Sequence, residues 1–147
     1  MIQLEQQIFA FDRLGDFLRN INPDNSAYDV LFETVNRAKS NNGWFSKENV
    51  LHAFAAWGKL LNKEELTQWL LPYSFDHKTP KIVGLVLAGN IPLVGFHDVL
   101  SVLISGNKAL VKCSSSDPLL IAFLIQKLQE FEPGFSNFVE FTKERFT

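Results

Sequence analysis

The stretch GLVLAGNIPLVGFHDVLSVLISGNKALVKCSSSDP, Gly84 to Pro118, constrains the fold of this chain more than any other. It reads as strand, Gly-containing turn, apolar helix, Gly-Asn stop, second strand and polar turn. Lys81 to Ala88 is rich in Val, Ile and Leu without alternation, the pattern of a strand buried on both faces of a parallel sheet. Leu93 to Ser105 is apolar on nearly every side, so that helix should be buried too, with Pro92 at its start. Gly106-Asn107 supplies a left-handed stop. Ala109 to Cys113 is the second strand, and Asp117-Pro118 forms a cap and first-turn pair for a helix from Leu119 to Phe131. The segment SNFVEF, ending at Phe141, reads as a third strand. This βαβαβ order predicts an α/β fold with a parallel sheet and right-handed crossovers. The unit carries neither G-x-G-x-x-G nor a P-loop lysine, so its ligand cannot be inferred from a phosphate fingerprint.

The first half reads as a helical lead-in. Leu4, Ile8, Phe11, Leu14, Leu18 and Ile21 recur at helical spacing up to the Asn22-Pro23 break. Tyr28, Leu31, Phe32 and Val35 mark a second helix, for which Ser26 is the expected cap, and "NNGW" interrupts it. Ser46 caps a third helix carrying Val50, Phe54, Trp57 and Leu61. Asn62 and Glu65 resemble a capping box for a fourth, with Leu66, Trp69 and Leu70 inward. The division expected is a helical segment over 1–78 and an α/β unit over 79–147.

Composition narrows the function classes. A formal charge of −2 without a basic run points to no nucleic-acid partner. The apolar windows Ile82–Ala88 and Val99–Ile104 are too short to span a bilayer. One cysteine, Cys113, rules out an internal disulfide and fits a reducing cytoplasm. His52, His77, His97 and that cysteine do not fall at zinc-ligand spacing, so no metal is expected.

Two polar residues stand where a parallel sheet binds ligands, at the carboxyl ends of its strands. Asn90 can donate a hydrogen bond to a developing oxyanion, or only satisfy a turn. Lys112 can hold ribose hydroxyls or a phosphate, or snorkel from a strand end as a surface lysine. Ser114, Ser115 and Ser116 can offer hydroxyls and backbone N–H groups to the same ligand, or be plain loop. Cys113 beside Lys112 could have a lowered pKa, or be an inert small hydrophobe.

Taken together, "LAGNIP…LISGNKALVKCSSSDP" resembles the aldehyde dehydrogenase superfamily, in which a strand ends in an Asn-x-Pro turn. A buried helix, a Gly-Asn turn and a Lys-terminated strand follow there in the same order. Within that superfamily, Ala-Gly-Asn-x-Pro is similar to the acyl-CoA reductases of the bacterial luminescence type, as is the upstream "FSKENVLHAFAAWGKLLNKEELTQWLLPY". The likeness is strongest from Ser46 to Phe131, and the first forty residues add little to it. It implies a partial Rossmann-like sheet of aldehyde dehydrogenase type, and reduction of an acyl-CoA or other acyl thioester to an aldehyde by a nicotinamide cofactor. NADPH is the expected cofactor for this reductive branch. By resemblance, Asn90 contributes to the oxyanion hole and Lys112 contacts the adenosine ribose or its 2′-phosphate. Ala88 and Gly89 lie on the nicotinamide side, and Ser114 and Ser115 complete the cofactor loop.

The family's cysteine nucleophile lies in the second half of a longer chain, and Cys113 does not match its place. Cys113 is therefore expected to be scaffold, and the chain to be the front, catalytically incomplete part of a longer protein. A three-stranded sheet would also leave apolar surface and an edge for self-association. The alternative is a nucleotide-binding or protein-interaction module without catalysis.

Overall fold

The computed structural model describes residues 2–75 and 79–146. The expected boundary at residue 78, and His77, lie outside them. Four helices come first: α1 (Leu4–Arg19), α2 (Asp29–Asn41), α3 (Lys47–Leu60) and α4 (Lys63–Leu70). Then follow β1 (Ile82–Val86), α5 (Phe96–Ile104), β2 (Lys108–Lys112), α6 (Leu120–Phe131) and β3 (Val139–Phe141). Short 3-10 turns occupy Ser26–Tyr28 and Pro133–Asn137.

The helical half forms for the reasons its periodicity predicts. Phe11, Leu14 and Leu18 of α1 and Val50 and Phe54 of α3 are fully buried. The two helices approach so closely at Gly15 that a Cβ there would overlap the carbonyl oxygen of Leu61. Arg19 exploits the crossing, since its Nη1 donates to the carbonyls of Gly58 (2.6 Å) and Leu61 (2.9 Å). Those carbonyls end α3 and have no partner within the helix, so the guanidinium supplies one. Ser46 and Asn62 cap α3 and α4 as expected, accepting from Asn49 N and Glu65 N. Ser26 does not cap. Asn25 takes that role instead, accepting from Ala27 N at 2.9 Å, and it starts a 3-10 turn rather than α2 itself.

The core runs without a break from the helical half into the α/β half. Phe11 meets Phe135 edge-on with centroids 5.7 Å apart, Phe54 meets Phe123 at 6.0 Å, and Trp57 meets Phe96 at 4.8 Å. Edge-to-face pairs add to burial because the positive ring edge meets the negative face.

The strands lie in the order β1-β2-β3, all parallel, with Ile82 opposite Lys108, Val86 opposite Lys112 and Ala109 opposite Val139. Ala109 and Val111 face the core. The expectation that β1 is buried on both faces is wrong, because Ile82 and Val86 are each 72% exposed. Only one side of the sheet rests on the core. On the other, Phe146 of the C-terminal tail lies over Gly84. An unbroken apolar run signals affinity for burial, and the packing partners decide whether burial occurs. The stop after α5 forms as expected: Gly106 sits at φ +84°, Gly106 N donates to Leu103 O, and Asn107 N donates to Val102 O. That pair of bonds is the Schellman motif.

Candidate functional site at the carboxyl edge of the sheet

The turns after β1 and β2 interlock. Leu87 N donates to Lys112 O at 3.0 Å, carrying the ladder one residue beyond β1. Gly89 then packs directly on the β2–α6 loop: a Cβ there would lie 2.5 Å from both Cβ and Oγ of Ser114 and 3.2 Å from Asp117 N. The missing side chain at Gly89 thus lets two loops close on each other. Gly89 is buried, while Ala88 and Asn90 on either side of it are exposed.

α5 begins at Phe96, one turn later than expected, so Pro92 lies in a loop turn rather than at the start of the helix. The cause is Leu93, whose φ of +63° is left-handed and cannot continue into a right-handed helix. Val94 N donates to Ile91 O and Phe96 N to Leu93 O, forming the turn that carries the chain from Asn90 to α5.

Asp117 holds that turn. It is buried, and its Oδ2 accepts from Leu93 N at 3.4 Å while Oδ1 accepts from Leu120 N at 3.3 Å. Asp117 thus bonds the first N–H of α6, but the helix starts at Leu120 with Leu119 at the cap position, so the expected Asp117-Pro118 cap and first-turn pair is not formed. Burial pushes the carboxyl above its ordinary value, and bonds from the backbone N–H groups of Leu120, Leu93 and Leu119 oppose the rise. The contact with Leu93 was not legible in the sequence, since 24 residues separate the partners.

The serine loop is anchored from the helical half. Asn41 Nδ2 donates to Ser115 O and Asn42 Nδ2 to Ser116 O, each at 3.1 Å. Ser114 Oγ accepts from Ser116 N through a lone pair, which does not use its O–H, and Ser115 is exposed. The "NNGW" segment reads in the sequence as a helix break. Its two side-chain amides were the available signal of a second role, and their partners lie 74 residues away.

Lys112 is half-exposed on the open face of the sheet, opposite Val86. Cys113, also half-buried, has its thiol pushed up by burial and further by the charge of Asp117. A raised pKa disfavours the thiolate, the nucleophilic form. The edge therefore presents Ala88, Asn90, Ser115 and Lys112: one small residue, an amide, a hydroxyl and an ammonium. Such donors suit a ligand rich in phosphate and hydroxyl oxygens, and the set contains no poised nucleophile. Two cavities lie elsewhere. One of about 900 Å3 is lined by Gln3, Gln7, Tyr73, Lys81 and Asn107, away from Asn90. Among the described residues, no group of three or more candidate metal ligands converges and no helix is long and apolar enough to cross a membrane.

The family model described as "Acyl-CoA reductase (LuxC)" matches residues 16–136 of the 147. The chain belongs to that family. The match extends well into the first forty residues, to which the motifs add little. It therefore takes in the last turn of α1 and all of α2, together with Asn41 and Asn42 that hold the serine loop. No curated protein and no solved structure matches the chain. An acyl-CoA reductase relationship is thus established for a fold of helices on a small parallel sheet.

Proposed function

We propose that this chain is the cofactor-side portion of an NADPH-dependent acyl-CoA reductase, with Asn90 in the oxyanion hole and Lys112, Ser114 and Ser115 on the adenosine side. The family match supports the reaction class. The observation that carries the site is the interlock of the two loops through Gly89 and Ser114, which presents Asn90 and Ser115 beside the end of β2.

In this reading, an acyl-CoA thioester passes its acyl group to a thiolate outside these residues, and CoA leaves as its thiolate. A nicotinamide cofactor held by Lys112, Ser114 and Ser115 would supply a hydride to the acyl carbon, which releases the aldehyde and returns the thiolate. Negative charge gathers on the acyl oxygen at both stages, and the Asn90 side-chain N–H donates to it there. Removing one such donor costs about 10²–10³ in rate. Lys112 pairs with the ribose hydroxyls or 2′-phosphate. Cys113 takes no part, in keeping with its raised thiol pKa.

Titrating the purified chain with NADPH and with NADH tests the reading. A saturable signal, tighter for NADPH and weakened about tenfold by Lys112→Ala, is expected for a lost charged contact. No saturable signal at millimolar cofactor would overturn it. Acyl-CoA-dependent NADPH oxidation by the chain alone, abolished by Cys113→Ala, would overturn the assignment of the nucleophile to another segment.

A further inference from the structure

We propose that Asp117 is a positioning residue for Asn90: by holding Leu93 in its left-handed conformation, its carboxylate sets where the Asn90 amide is presented. The inference rests on the role proposed for Asn90. Leu93 is three residues beyond Asn90, fully buried, and the only described non-glycine residue with positive φ. A left-handed leucine is sterically disfavoured, because its Cβ crowds the backbone carbonyl, so surrounding contacts must hold it. Asp117 supplies such a contact at the backbone N–H itself. The same carboxylate reaches the first turn of α6 with its other oxygen. One buried side chain therefore ties the β1–α5 turn to the loop that follows Lys112. Gly89 against Ser114 closes the loops on one side, and Asp117 closes them on the other.

A simple helix cap would need only one of those oxygens. Asp117→Ser separates the two roles, because a serine hydroxyl can cap α6 but cannot also reach Leu93. Amide hydrogen exchange and the Asn90 side-chain NMR signal are read in the labelled chain. Expected in Asp117→Ser is exchange at Leu93 faster by about tenfold or more, with Leu120 still protected and the Asn90 signal displaced. Loss of protection at Leu120 alone, with Leu93 and Asn90 unchanged, would show a cap and overturn the proposal. Should the serine variant fail to fold, Asp117→Asn carries the test, since its amide oxygen can serve only one side. In that variant, faster exchange at Leu93 together with Asn90 displacement is expected, and either without the other, or neither, overturns the inference. NADPH titration of the wild-type chain is scored separately. Absence of binding there defeats the functional reading, whereas the exchange data decide the positioning role.

Discussion

Gly89→Ala should destabilise the protein by a route that a second substitution reverses. The new Cβ would lie 2.5 Å from Ser114 Cβ and Oγ, far inside van der Waals contact, and 3.2 Å from Asp117 N. Ser114 has little room to yield. Its hydroxyl accepts from Ser116 N, and the carbonyls of Ser115 and Ser116 are held by Asn41 and Asn42. Inserting a methyl into such a site costs about 1–3 kcal/mol. Ser114→Gly removes both atoms at 2.5 Å and leaves only the contact at 3.2 Å, which a shift of a few tenths of an ångström relieves. The double variant should therefore recover most of the loss, with a coupling energy of about 1–2 kcal/mol between two side chains in direct contact. Urea unfolding followed by circular dichroism measures all four corners of the cycle. With a slope of about 1–3 kcal/mol/M, Gly89→Ala moves the midpoint by roughly 1 M. The interlock would be refuted by a Gly89→Ala midpoint within error of wild type, or by additive single effects.

Gly15→Ala should be the most damaging small substitution in the helical half, because its Cβ meets the Leu61 backbone carbonyl rather than a mobile side chain. A loss of at least about 2 kcal/mol, or about 4–8 °C in thermal midpoint, is expected from a melting curve. Asp117 should also make stability depend on pH. Its folded carboxyl lies above the unfolded value, so the folded chain holds the proton more tightly. The group's contribution is then fullest below the ordinary aspartate value of about 3.9, and it is lost as pH rises through the raised folded value. Urea midpoints of wild type, referenced to Asp117→Asn, should fall across that window. A rise with pH would mean that the backbone bonds outweigh burial.

Much of the element order was legible because it depends on local chemistry. Ser46 and Asn62 accept from the N–H groups three residues on, and Gly106 takes the positive φ that ends α5. The capping expectation failed at Ser26, where Asn25 competed with a shorter amide bridge to Ala27. α5 starts late because Leu93, a residue with no intrinsic preference for positive φ, is held there by a carboxylate from another loop.

By itself the sequence determined the α/β class, the parallel sense of the strands and the candidate donors Asn90 and Lys112, since periodicity and turn chemistry act over a few residues. It also carried the family, because motif order is a property of the chain. Tertiary structure decided what those residues touch. It left Ile82 and Val86 in the open, set Gly89 against Ser114, and reached across 74 residues from Asn41 and Asn42 to the serine loop. It also gave Asp117 two turns to hold. The physical reason is separation along the chain: burial and long-range hydrogen bonds depend on partners that no local pattern encodes.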